Sequence, residues 1–201
     1  MKIKIDDKEY KGSKLVDNKL NVVSELFKYI NSKDLEIEDF NFEILSKLTN
    51  IEEDILEIID LEQAHKLQLK LTDLKYNDKE SLKIYNSINI DGVEYVTTRN
   101  YNNYEDIKLN RYQYKKIKEI MKVENNYNYL KYIAASFFVE KTELDKCYKV
   151  NEAIENNFDK RMEIFNTEIE FKTILPFLIK VTDVISVHTA NSLDALKKLR
   201  G

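Results

Sequence analysis

Ile88-Asn89-Ile90-Asp91-Gly92-Val93-Glu94-Tyr95-Val96 alternates apolar and polar residues on both sides of an Asp-Gly pair. A two-residue hairpin turn of type I′ needs φ > 0 at both central positions, which Asp-Gly accepts and most pairs do not. The stretch therefore reads as a β-hairpin with Ile88 opposite Tyr95. A second copy of the pattern lies near the start: Ile3-x-Ile5-Asp6-x-x-Glu9-Tyr10 matches Ile88-x-Ile90-Asp91-x-x-Glu94-Tyr95 at an offset of 85 residues (88 − 3). A two-residue turn at Asp6-Asp7 sets Ile3 opposite Tyr10, the same favourable aromatic–β-branched pair.

Outside the hairpins the apolar spacing is helical. Val22, Val23, Leu26, Phe27 and Ile30 share one face, and Ile37, Phe40, Ile44, Leu45 and Leu48 repeat the pattern in a second helix. Asn50 is placed to cap a short third helix over 51–58. Asp60 is placed to cap a fourth, with Leu61, Ala64, Leu67, Leu71 and Leu74 on one side. Tyr76-Asn77-Asp78 breaks that pattern. After the second hairpin the polar stretch 97–106 reads as a loop. Helices follow over 110–122 (Tyr114, Ile117, Met121) and 127–139 (Leu130, Ile133, Ala134, Phe137). Another passes through Ile154, Phe158, Met162 and Phe165, and the last runs from near Glu168 past Pro176, where a kink is expected.

Composition agrees with this outline. The chain of 201 residues is 43% hydrophobic and 34% charged, enough for a sizeable core under a densely ionic surface. With 3 Gly and 1 Pro, a sandwich or barrel of many short strands has too few turn residues. The expected fold class is mainly α with two small β-hairpins (α+β). The repeated hairpins, and the match of Lys19-Leu20-Asn21 to Lys108-Leu109-Asn110, divide it into two pseudo-repeated hairpin-plus-helices units packed together, 1–80 and 81–201.

Reaction chemistry finds little to work with. His65 sits beside a leucine face and His188 near the end of the last helix, and neither has a metal-ligand or triad spacing. Cys147 lies among Lys146, Tyr148 and Lys149 with no neighbouring histidine to act as base, so it reads as a small buried or half-buried residue in a reducing compartment. Glu52-Glu53-Asp54 suits the positive end of a short helix. Gly12, Gly92 and Gly201 are the three glycines, too few and too scattered for a phosphate-binding loop. No catalytic, cofactor-binding or metal-ligating residue is assigned, and an enzyme is not expected. The N-terminus lacks the apolar run of a signal peptide. The apolar stretch Ile174 to Val187 carries Lys180 and Asp183 and is too short to span a bilayer.

Surface charge is unevenly distributed. Asp34, Glu36, Glu38, Asp39, Glu43, Glu52 and their neighbours through Glu62 make the first half acidic. Lys108, Arg111, Lys115, Lys116, Lys118 and Lys122, interleaved with Tyr112 and Tyr114, make part of the second half basic. Basic plus aromatic suits a nucleic-acid surface, but also a solvated helix face, and the net charge of −4 gives no global attraction to phosphate. The complementary patches could hold the halves together or stack copies head to tail. The last helix is apolar on more than one face. Phe177, Ile179 and Val184 exceed one core stripe and, with Arg111, Lys115 and Lys118, are the candidate partner-binding residues, unless the opposite half buries them.

Glu43-Ile44-Leu45-Ser46-Lys47-Leu48-Thr49-Asn50-Ile51 followed by Ile58-Ile59-Asp60-Leu61, then Ile90 to Tyr95, Tyr112 to Met121, Leu130 to Val139 and Ile169 to Ile185, together resemble the tail-assembly-chaperone-like proteins of tailed bacteriophages. The likeness covers most of the chain as a pattern of apolar positions and turns. Asn50 stands where such sequences often place Gly, and Val139-Glu140-Lys141 replaces a usual Arg-Pro. The resemblance implies a non-enzymatic protein that binds another phage structural protein, tail or tape-measure-like, during tail or virion assembly in the host cell cytoplasm. A virion structural subunit (connector or tail protein) is the alternative it leaves open, and a nucleic-acid-binding module stands behind that. Self-association is compatible with each.

Overall fold

The computed structural model describes residues 2–5, 8–32, 37–56, 58–73, 82–121 and 129–184, with backbone alone at 29–32, 37–41, 43 and 121. The turn Asp6-Asp7, the break at Tyr76-Asn77-Asp78, the 80/81 boundary, Leu74, Lys122, Ile185 and His188 lie outside the described residues, as do Asp34, Glu36 and Glu57.

Asp91 and Gly92 have φ of 51° and 82°, the left-handed pair that a type I′ turn demands. They join β3 (Ser87–Ile90) to β4 (Val93–Thr97) with Ile88 opposite Tyr95. The first hairpin pairs β1 (Lys2–Ile5) with β2 (Lys8–Lys11) and sets Ile3 opposite Tyr10. Around these sheets the chain is helical: α1 (Leu20–Ser32), α2 (Ile37–Thr49), α3 (Glu53–Leu56) and α4 (Leu61–Thr72) follow the first hairpin. After the second come α5 (Arg111–Met121), α6 (Tyr129–Phe137), α7 (Lys141–Lys146), α8 (Val150–Glu155), α9 (Phe158–Glu168) and α10 (Phe171–Val184). The fold is mainly α with two small antiparallel sheets, the α+β class expected.

Four local expectations need correction. The helix read over 127–139 stops at Phe137. Phe138–Glu140 becomes β5 and pairs antiparallel with β4, Val139 opposite Val96, so the second sheet has three strands. The helix read through Ile154 and Phe165 is two helices, because Asn157 takes φ 53° and turns the chain between α8 and α9. Asn50 does not cap α3. It ends α2 with φ 55° while its N–H donates to the Ser46 carbonyl at 2.7 Å, the left-handed conformation that closes many helices. Finally, Leu61 is 45% exposed; α4 turns Ala64, Gln68, Leu71 and Thr72 inward instead. Asp60 does cap α4, accepting from the Gln63 N–H at 2.8 Å. The last helix continues past Pro176, from Phe171 to Val184.

One hydrophobic core runs through both halves. Its centre in the second half is aromatic: Phe137 and Phe177 lie 4.6 Å apart by ring centroid, Phe138 meets Phe177 at 5.5 Å, and Tyr95 stands edge-on to Phe165 at 4.9 Å. Beside them Arg161 is 2% exposed. Its guanidinium donates to the carbonyls of Ala135 (3.2 Å), Ala153 (3.4 Å), Ile154 and Asn156, and lies 3.7 Å from Glu143. Carbonyls at a helix end have no intrahelical partner, and this one side chain serves the ends of α6 and α8. Burial lowers its proton affinity, with Glu143 opposing that shift. The first half is aliphatic by comparison, with Ile3, Ile5, Leu20, Leu26, Ile44 and Leu45 buried and Phe27 edge-on to Phe171 at 6.1 Å.

The halves are joined at α10. The Phe171 N–H donates to the Asn18 carbonyl (2.8 Å), and the Leu20 N–H donates to the Ile169 carbonyl (3.1 Å). Lys172 bridges Asp17 at 3.0 Å and Glu170 at 2.5 Å, which raises its pKa.

Candidate functional site

The N-terminus of α5 is fixed by a reciprocal cap. The Gln113 N–H donates to Asn110 Oδ1 and the Asn110 N–H donates to Gln113 Oε1, both at 2.9 Å. Gln113 is itself buried and donates to the Ser136 carbonyl at 2.8 Å, which ties the start of α5 to α6. Arg111, the first residue of the helix, is thereby held at a set point on the surface.

Facing it is the end of α10. Ile107, Leu109, Tyr114 and Val184 form the apolar part of a cleft of about 450 Å³, with Lys108, Arg111 and Lys180 around it. Val184 is 46% exposed. Lys180 is held over the Tyr104 ring at 4.8 Å and lies 3.6 Å from Glu105. The Tyr104 hydroxyl donates to Asp183 at 2.6 Å, and burial together with that bond raises the phenol's pKa above its usual value. Asp183 and Glu105 are thus engaged by Tyr104 and Lys180. Lys108, Arg111 and Lys115 have no ion-pair partner among the described residues and are exposed.

The sequence-selected residues separate clearly. Arg111 and Val184 meet in the cleft, and Lys180, which the sequence reading did not select, completes it. Lys115 is exposed on α5, and Lys118 lies beside Tyr114, its ammonium 5.5 Å from the ring centroid. Phe177 is fully buried among Phe137, Phe138 and Tyr101, so its apolar surface is used by the chain's own second half. Ile179 is half-buried against the core.

Two further surfaces bear on function. Phe42, Ile59 and Leu61 floor an open groove of about 700 Å³ edged by Asp60 and Glu62, and Ile58 beside it is 59% exposed. Glu52, Glu53 and Asp54 are exposed on the same segment. A cleft of about 520 Å³ between α5, α6 and α9 contains Lys116, Glu119, Tyr132 and Asp159. Lys116 there is paired with Glu155 at 2.8 Å and covers Phe158 at 3.9 Å from its centroid, so the charge is satisfied internally. Burial lowers the Lys116 pKa.

Stacking of nucleic-acid bases needs open aromatic faces. Lys116 and Lys118 each lie 5.5 Å from the centroids of Tyr112 and Tyr114 respectively, so both rings already carry a cation of this chain. Cys147 is half-buried and its Sγ accepts from Asn156 at 3.5 Å; His65 is half-buried on α4. Among the described residues no group of His, Cys, Asp and Glu has the arrangement of a metal site, and no helix is long and apolar enough to cross a membrane. Compared with known proteins, the chain matches no family model, no curated protein and no solved structure.

Proposed function

We propose that the chain is a non-enzymatic binding protein that holds another phage structural protein, tail or tape-measure-like, during tail or virion assembly in the host cytoplasm. The binding part of this reading is carried by one observation: Val184 stands exposed in a cleft whose rim, Lys108 and Arg111, is cationic and without ion-pair partners among the described residues. Such a rim selects a client segment with apolar anchors flanked by Asp or Glu, since opposite charge steers the encounter and apolar burial holds it. The phage client follows from the resemblance of Glu43–Ile51, Ile90–Tyr95 and Ile169–Ile185 to tail-assembly-chaperone-like proteins.

Co-expression of the full chain with each structural protein encoded beside it tests the reading. A soluble complex is expected with one of them, weakened about tenfold or more, ~1.4 kcal/mol, by Val184→Asp with Arg111→Glu. Failure to form a complex with any of them overturns it.

A further inference from the structure

We propose that the chain also stacks on itself head to tail, the acidic apolar surface around Ile58 and Leu61 of one copy docking on the basic cleft at Arg111 and Val184 of the next. This rests on the reading of the cleft as a protein-binding surface, and it names one occupant.

Exposed apolar residues mark binding surfaces when they cluster. Four large apolar residues are exposed among those described, and three of them belong to these two places: Ile58 (59%), Leu61 (45%) and Val184 (46%). The two places carry opposite charge. Glu53, Asp54 and Asp60 are exposed beside Ile58 and have no ion-pair partner among the described residues, as Lys108 and Arg111 have none beside Val184. Among the described residues this complementarity is not used within the chain. The ion pairs that reach across the fold among the described residues do not link the two surfaces: Lys172 pairs with Asp17, and Lys180 of the cleft with Glu105, neither with the acidic residues near Ile58. What holds the halves together is the shared core and the junction of residues 17–20 with 169–172, so the described acidic and basic surfaces are both left for another molecule.

Because the two surfaces are different, the contact is heterologous: each copy keeps one knob and one cleft unfilled until the array closes or ends. Both surfaces are small, so the association is weak, and its rim charges make it sensitive to salt. A cleft filled by a neighbour is closed to a client, so stacking and client binding compete.

Sedimentation velocity of the full chain tests this. The sedimentation coefficient should rise with protein concentration at about 50 mM salt and fall back to the monomer value at about 500 mM, where screening is nearly complete. A knob variant (Glu53→Lys with Ile58→Lys) and a cleft variant (Arg111→Glu with Val184→Asp) should each be monomeric alone, yet form a heterodimer and nothing larger when mixed. Circular dichroism melts check that each folds; if one does not, Glu53→Lys and Arg111→Glu alone replace it, and they change exposed charge only. A wild-type chain that stays monomeric at every concentration overturns the proposal, as does a single variant that still self-associates or a mixture that forms no heterodimer. A monomeric wild type that nonetheless holds a phage structural protein leaves the client reading standing; stacking copies without any client do the reverse.

Discussion

The two hairpins share a turn spacing and an Ile–Tyr pair, yet they settle in different surroundings. In the second, β4 is a central strand with β3 on one side and β5 on the other, and Tyr95 is 5% exposed against Phe165. In the first, β1 and β2 stand as a two-stranded ribbon and Tyr10 is only half-buried. Two-stranded ribbons are marginal by themselves, so this one depends on Ile3 and Ile5, which it buries against the helices. A turn sets which residues face each other. What the hairpin can bear is decided by the core behind it, aromatic and pinned by Arg161 in one half, aliphatic in the other.

The sharpest way to break that contrast is Arg161→Ala. It strands carbonyls at the ends of α6 and α8 and leaves Glu143 without its cation. A loss of about 3–5 kcal/mol is expected in urea unfolding; a loss below about 1 kcal/mol would mean that the second half is not organised around this residue.

Next in size are two glycines, Gly12 just after β2 and Gly92 in the second turn. A Cβ at Gly12 would lie 2.5 Å from Ile3 Cδ1 and 3.3 Å from Thr49 Cγ2, whereas one at Gly92 meets nothing within 4 Å. Gly12→Ala should cost about 1–3 kcal/mol by overpacking, and most of it should return when Ile3→Val is added. Gly92→Ala should cost only about 1 kcal/mol, from its φ of 82°, and Ile3→Val should rescue none of it. Equal rescue of both would erase the distinction between the ribbons.

The smallest effect is expected at Tyr104. Its folded pKa is raised by burial and by the bond to Asp183, so its share of stability is whole below about pH 10, the ordinary tyrosine value, and is lost as pH climbs above it. Tyr104→Phe should therefore cost about 0.5–1 kcal/mol at pH 7 and flatten the alkaline decline in stability. Urea midpoints at pH 7 and on that alkaline limb check both halves of the statement.

Local chemistry was legible in the sequence and distant pairing was not. Asp91-Gly92 declared its turn because two residues contain the whole requirement for positive φ. Phe138-Val139-Glu140 could not declare itself as β5, since it continues the apolar run of α6 and its partner Val96 lies far back in the chain. Asn50 misled because asparagine serves both as a helix cap and in the left-handed region, and the break at Asn157 was hidden because the apolar spacing of Ile154, Phe158, Met162 and Phe165 carries straight across it. Arg161 was overlooked although it lies on the same helix face as Phe158 and Phe165, where a cation signals a buried acceptor cluster. At the cleft, Arg111 and Val184 were found from charge and surplus apolarity, while Lys180 was hidden because its role comes from the approach of α10 to Tyr104. Phe177 looked surplus only because its aromatic neighbours come from other elements.

The α10 junction has a consequence for how the chain acquires its shape during synthesis. Lys19 donates to the Glu168 carbonyl across 149 residues, and Lys172 reaches Asp17 across 155. The 3-10 turn at Leu15–Asp17 and the first turn of α1 must therefore wait on the ribosome with their polar groups hydrated until α10 has left the exit tunnel. Folding that depends on such long loops is slow to begin, and the exposed aliphatic face of the first half is at its most vulnerable to aggregation during that interval.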